Sequence, residues 1–217
     1  MSGPPHLAAI QLIAGRPLVV CDADEVLLQF LGGLEAYLPS QGLYLDLEGY
    51  ALTGSIRRAA TGEPLVQTDV GALIKAFHET AGLALQPVAG AAAALADLAT
   101  TAQIVILTNV AQDLAVGRRA NLAGHGMDYP VVPNSGLKGP AVSALAARAQ
   151  APVFFIDDIP HHHASVAEAA PGTHPIHFVA DERLFRMAKA SPHAGLFTSD
   201  WAEAGAHVRA RRDQDGG

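Results

Sequence analysis

Cysteine is nearly missing: of 217 residues only Cys21 carries a thiol. That excludes an internal disulfide framework and any zinc site built from several cysteines. A chain of this kind is expected in a reducing compartment, here the cytoplasm. Cationic residues are also scarce. Fourteen Lys and Arg stand against 21 Asp and Glu, a formal charge of −7, so neither duplex nucleic acid nor an anionic membrane surface is an expected partner. No apolar run approaches the roughly 18 residues of a membrane-spanning helix. The opening MSGPPHLAAI lacks the cationic head and apolar stretch of a secretory signal. Repeats at periods of about 20 to 50 residues are missing too. There is no Gly-x4-Gly-Lys-Ser/Thr loop, no Gly-x-Ser-x-Gly elbow and no His-Glu-x-x-His pair, which removes support for P-loop nucleotidase, serine-hydrolase and zincin chemistry.

What the chain does have is apolar mass. Half of it is hydrophobic and 16% is charged, enough for a sizeable core in one domain with room for an insertion. Short apolar runs recur and end in polar residues: Leu18–Asp22, Ile104–Asn109, Val153–Asp158 and, more weakly, Ile176–Asp181, with Val131–Val132 as a very short fifth. Runs rich in Val, Ile and Phe, without alternation, suit strands buried on both faces of a parallel sheet. Helical stretches lie between them, at Gly90–Ala99, Asp113–Ala123 and Pro140–Gln150. The alternation predicts an α/β fold, a Rossmann-like parallel sheet with right-handed crossovers. The gap between the first two strands is too long for one crossover. It contains turn signals at Tyr37–Gly42, Thr53–Gly54 and Thr61–Pro64 and a helix-like segment at Val70–Ala81. We read it as an inserted α-helical subdomain, residues 28–85, flanked by core residues 1–27 and 86–217.

In open α/β sheets, ligands bind beyond the carboxyl ends of the strands. Asp22, Asp24, Thr108, Asn109, Asp157 and Asp158 all fall at those ends. Asp22 and Asp24 are two residues apart, so an extended backbone would send both carboxylates to one side. Several carboxylates converging from two strands repel one another unless a cation sits among them. Hard oxygen ligands suit Mg²⁺.

Four motifs in this order resemble the haloacid dehalogenase superfamily: Val19-Val20-Cys21-Asp22-Ala23-Asp24, then Ile106-Leu107-Thr108-Asn109, then Lys138 within Gly136-Leu137-Lys138-Gly139, then Phe155-Ile156-Asp157-Asp158. The resemblance covers residues 16–27 and 86–200 and implies a helical cap where the insertion follows the first motif. It implies Asp22 as nucleophile, forming an aspartyl-phosphate. Asp24 would be the acid and base, its backbone carbonyl a metal ligand. Thr108, Asn109 and Lys138 would hold the phosphoryl group, with Lys138 also neutralising the nucleophile. Asp158 would bind Mg²⁺ directly, and Asp157 would do so through water or would orient Lys138. The implied activity is Mg²⁺-dependent hydrolysis of a small phosphorylated metabolite, a phosphomonoester. The alternatives are a phosphomutase of the same superfamily and a non-catalytic phosphoryl-binding module. The dehalogenase branch lacks an acid two residues after its nucleophile, so Asp24 favours phosphoryl chemistry.

Two positions depart from the family pattern. Glu25 stands where Gly is usual and Val26 where Thr is usual, both in the turn that leads to the cap. The remaining conspicuous residues have plain readings. Cys21 is expected to be an inert core thiol. His161, His162 and His163 are expected in a loop bordering the site. Arg57-Arg58 is expected on an exposed helix face, and Arg118-Arg119 is expected to be solvated. Oligomeric state is not legible.

Overall fold

The computed structural model describes Leu7 and residues 9–215. Most of the opening decapeptide, on which the absence of a signal was read, lies outside the described residues. In chain order the elements are β1 (Leu18–Cys21), α1 (Phe30–Tyr37), β2 (Leu43–Leu45), β3 (Ile56–Arg58), α2 (Gln67–Glu79), α3 (Ala91–Ala99), β4 (Gln103–Thr108) and α4 (Ala115–Gly124). They continue with β5 (Val131–Pro133), α5 (Gly139–Ala149), β6 (Val153–Asp157), α6 (Pro160–Ala169), β7 (Thr173–Phe178), α7 (Glu182–Met187), β8 (Leu196–Thr198) and α8 (Trp201–Asp215). No helix among the described residues is long and apolar enough to cross a membrane.

Six strands form one parallel sheet in the order β5-β4-β1-β6-β7-β8. This is the expected Rossmann-like α/β core. β1 lies centrally, with the chain running outward first through β4 and β5 and then through β6, β7 and β8. That reversal of strand order opens a crevice at the carboxyl ends of β1, β4 and β6. The apolar runs are continuous because both faces of these strands are covered. Leu18 and Val20 join one buried cluster with Val105, Leu107, Val153 and Phe155. Val19 and Cys21 join the other with Ile104, Ile106, Phe154 and Ile156. Alternate residues of one strand thus feed opposite cores.

β7 starts three residues earlier than Ile176, because Pro175 is tolerated inside it. Pro175 pairs with Phe155 of β6, while β8 begins its pairing only at Ile176. The carbonyl of Pro175 accepts from Gly195 at 2.9 Å. Carbonyl and amide of one residue share a side in a strand, so the donor that proline lacks faces the edge where β8 has not begun.

The segment between β1 and α3 is not wholly helical. It carries α1 and α2, but also the antiparallel hairpin β2–β3, in which Tyr44 lies opposite Arg57. The two short arms are separated by a long loop, without the two-residue turn that makes hairpins legible in sequence. Leu34, Ile56, Leu65 and Phe77 of this segment pack in the same apolar cluster as Val19 and Ile106. The sheet and the insertion share one core.

Candidate active site

β1 ends at Cys21, so Asp22 is the first residue off the strand, and its amide donates to Ile156 of β6 at 2.8 Å. Asp157 closes β6 and Asp158 follows it. The register that pairs Cys21 with Ile156 therefore brings the three carboxyls together. Asp22, Asp157 and Asp158 are all buried, and each offers an oxygen within 4.8 Å of the others. Lys138 sits at the start of α5 and is fully buried. Its ammonium lies 2.7 Å from Asp22 Oδ1 and 2.7 Å from Asp157 Oδ2. One cation therefore faces three carboxyl groups. Burial, opposed by Lys138 and reinforced by Asp157, pushes the Asp22 carboxyl up to about 7. Burial and then the charge of Asp157 raise Asp158 well above the usual carboxylate range. Asp157 has its second oxygen on the amide of Ile159 at 2.8 Å. The polar neighbour of the Asp158 carboxylate is the Tyr50 hydroxyl at 3.5 Å, which also donates to the Asp158 carbonyl at 2.7 Å. Asp22 and Asp158 both face a cleft, whereas Asp157 is fully buried. The donor set and its excess negative charge fit a hard divalent cation.

A cleft of about 190 Å³ opens here, lined by Asp22, Asp24, Asn109 and Asp158 from the strand ends, by Phe30 and His78 from the insertion, and by His162. A larger cavity of about 410 Å³ shares only Glu25 with it. Thr108 is fully buried at the end of β4, and its hydroxyl has no hydrogen-bond partner. Asn109 is held by Asn134, which donates to its Oδ1 at 2.7 Å, and by its own bond to the Gly136 carbonyl at 3.0 Å. The Asp24 side chain stands apart from the grouped carboxyls and faces Arg118.

Arg118 overturns one expectation. It is 2% exposed rather than solvated, with Nη2 2.9 Å from Asp24 Oδ1. Arg119 is solvated and pairs with Asp128. Arg57 and Arg58 lie on β3, not on a helix, and are paired with Asp46, Glu48 and Asp69. The three histidines occupy the first turn of α6, started by Pro160, rather than a loop. Successive helical residues diverge, so His161 is exposed, His162 reaches the cleft and His163 is buried against the Asp157 carbonyl at 2.9 Å. Burial lowers His163 to about 4, which keeps it neutral. Cys21 is buried, and burial raises its thiol well above the ordinary range, which suits an inert thiol. Sequence reasoning missed Tyr50 and His78. Neither has a local signature, because their contacts depend on how the insertion folds back.

Glu25 has φ 61°, the left-handed region, which accounts for a glycine at this turn in related patterns. Its carboxylate accepts from the amide of Leu31 in α1 and the amide of Asp181 after β7, both at 2.8 Å. Burial, only partly offset by those bonds, raises it to about 7. Glu25 thus ties the insertion to the far side of the sheet at a strained residue. Glu25→Ala keeps the strain and loses both bonds, and is expected to cost ~2–4 kcal/mol. Glu25→Gly relieves the strain and should cost about 1 kcal/mol less. Urea unfolding of both variants reads the order, and equal losses would dismiss the strain.

No protein-family model matches the sequence, and no curated protein is similar to it. In three dimensions the chain has the fold of haloacid dehalogenase (HAD)-like hydrolases. It is similar to a HAD-family hydrolase from Deinococcus radiodurans R1 with bound phosphate and sodium (TM-score 0.62, 17% identity, 91% of this chain and 97% of that one). It is also similar to the HAD-hydrolase YfnB from Bacillus subtilis bound to magnesium (TM-score 0.60, 15% identity, 90% and 99%). A third similar structure is L-2-haloacid dehalogenase from Xanthobacter autotrophicus with chloropropionic acid covalently bound (TM-score 0.56, 15% identity, 88% and 98%).

Proposed function

We propose that the protein is a Mg²⁺-dependent phosphatase that hydrolyses a small phosphomonoester through an aspartyl-phosphate on Asp22. The observation that carries this reading is the buried Lys138 ammonium, 2.7 Å from both Asp22 and Asp157, with the Asp158 carboxylate grouped beside them. Phosphate in the Deinococcus structure and magnesium in YfnB support it. A dehalogenase shares the fold, but it has no need of a second acid beside its nucleophile. Asp24 lies in the same cleft as Asp22 and supplies one.

Asp22, Asp158 and the Asp24 carbonyl would hold Mg²⁺, which when bound neutralises the carboxylates and the phosphoryl charge. An Asp22 oxygen attacks phosphorus while the bond to the leaving oxygen breaks, and Asp24 gives that oxygen its proton. The Asp24 carboxylate then takes a proton from water attacking the phosphoryl group, and the P–O bond to Asp22 breaks to release phosphate. The Thr108 hydroxyl, which has no protein partner, and Asn109 bind phosphoryl oxygens. Lys138 offsets charge on the nucleophile throughout, and Asp157 fixes Lys138. Residues 28–85 form the cap, and Phe30 and His78 present its surface to the substrate. A small cleft suits a small leaving group.

The test is a turnover screen over a panel of phosphomonoesters with and without Mg²⁺, with 2-chloropropionate as a parallel substrate. Phosphate release from at least one phosphomonoester, dependent on Mg²⁺, is expected. Chloride release without any phosphatase activity would replace this reading with the dehalogenase one. Conversion of a sugar phosphate to its positional isomer would make it a mutase.

A further inference from the structure

We propose that Arg118 is a positioning residue for Asp24, and that His78 of the insertion holds Arg118 in place, so that proton transfer at the leaving group depends on the docked insertion. The inference rests on the phosphatase reading above and extends it to two residues outside the four motifs. Arg118 projects from α4 and is 2% exposed. Its Nη2 lies 2.9 Å from Asp24 Oδ1 and 3.3 Å from Oδ2, and 3.2 Å from His78 Nδ1. Nη1 is buried without a partner. A buried guanidinium is costly to desolvate, and an apolar side chain of like volume would pack there at lower cost. Its place here is set by Asp24 and His78.

The tautomer of His78 follows from Arg118. A guanidinium can only donate, so Nδ1 of His78 accepts and the ring proton of the neutral imidazole is on Nε2. Burial lowers the pKa of His78, in keeping with that neutral form. Nε2 in turn stands 3.9 Å from Asp24 Oδ2. A cation from the core thus lies against Asp24, and the insertion reaches Asp24 through Arg118, since Nε2 at 3.9 Å is beyond hydrogen-bond distance. The insertion also lies against α4 beside Arg118. A methyl group placed on Gly117, one residue before Arg118, would meet Leu83 of the insertion at 2.8 Å. Displacing the insertion removes the acceptor that His78 offers Arg118. A shift of about 1 Å in a reacting group can cost about 10²-fold in rate.

The experiment compares Arg118→Met, Arg118→Lys and His78→Ala on two substrates, an alkyl phosphomonoester turned over by the wild type and p-nitrophenyl phosphate. With the alkyl ester, kcat should fall about 10²-fold for Arg118→Met while KM stays within about twofold. His78→Ala should move kcat the same way by less. With p-nitrophenyl phosphate the leaving group needs no proton, so the rapid burst of nitrophenolate should survive while steady turnover slows, because water activation still needs Asp24. Adding Arg118→Met to Asp24→Asn should bring no further loss, since residues acting as a unit are not additive. Additive losses, equal slowing of the burst and of alkyl turnover, or a raised KM with kcat intact would each overturn the proposal. If Arg118→Met alone fails to fold, the double variant removes both charges and Arg118→Lys keeps one, and the same comparisons decide. Turnover by Asp22→Asn would instead sink the phosphatase reading itself, which separates the two failures.

Discussion

Asp22→Asn is expected to abolish turnover and to leave no trappable phospho-enzyme. The amide is close in size to the carboxylate and can still accept from the Ala23 amide, which lies 2.7 Å from Asp22 Oδ1. What it loses is the electron pair that attacks phosphorus and the negative charge facing Lys138. Asp24→Asn is expected to behave differently. It removes a proton donor and acceptor but spares the nucleophile, and general acid–base catalysis is worth about 10²–10⁴-fold. Residual turnover should survive, with slower formation and slower breakdown of the phospho-enzyme. Acid quenching with labelled substrate, followed by mapping of the modified residue, reads both variants. Label on a residue other than Asp22, or near-normal rates in the Asp22 variant, would remove the covalent mechanism.

The second large effect is expected from the metal and its dependence on pH. Chelator should bring activity to zero and Mg²⁺ should restore it. Ca²⁺ should restore little, because its longer bonds and higher coordination number disturb in-line geometry. Without a cation, Asp22 keeps its proton up to about 7 in the folded chain, chiefly because it is buried, whereas an unfolded aspartate releases it near about 4. Between those values the folded state binds more protons than the unfolded one, so the stability of the metal-free protein falls as pH rises through that window. Asp158 shifts in the same direction. Mg²⁺ takes the deprotonated carboxylates, so the rise in Tm on adding Mg²⁺ should be larger at about pH 8 than at about pH 5.5. Calorimetry at the two pH values tests this. Equal shifts, or a full shift retained in Asp158→Asn, would argue for a cation bound elsewhere. Glu25, raised to about 7 mainly by burial, adds a slope of the same sign that Mg²⁺ leaves unchanged.

The parts of the fold that were legible in sequence are those where local pattern and burial coincide. β1, β4 and β6 are covered on both faces and read as unbroken apolar runs. Leu196–Thr198 is too short for a pattern, with two of its three residues only half-buried. The helix α6 begins with Pro160 and three histidines, which carry no apolar periodicity. The arms of the hairpin in the insertion are joined by a long loop, so the turn signal at Thr53–Gly54 does not announce a two-residue hairpin turn. The candidate site divides the same way. Asp22, Asp24, Asp157, Asp158 and Lys138 follow from strand ends and motif order. Arg118 stands beside Arg119 on a helix whose periodicity gives no hint that an inserted segment covers one of them. Glu25 was legible as a departure, but its two amide partners, Leu31 and Asp181, lie in separate elements.

The shared core bears on how such an enzyme can change its substrate. An insertion that packed as an independent unit could be exchanged for another in one genetic event, with the catalytic residues left intact. Here Leu34, Ile56, Leu65 and Phe77 complete the apolar interior around Val19 and Ile106. Excising residues 28–85 would uncover that interior to water, and a foreign segment would have to match its contours. New specificity is accessible instead through replacement at the cleft rim, at Phe30, on an otherwise fixed scaffold.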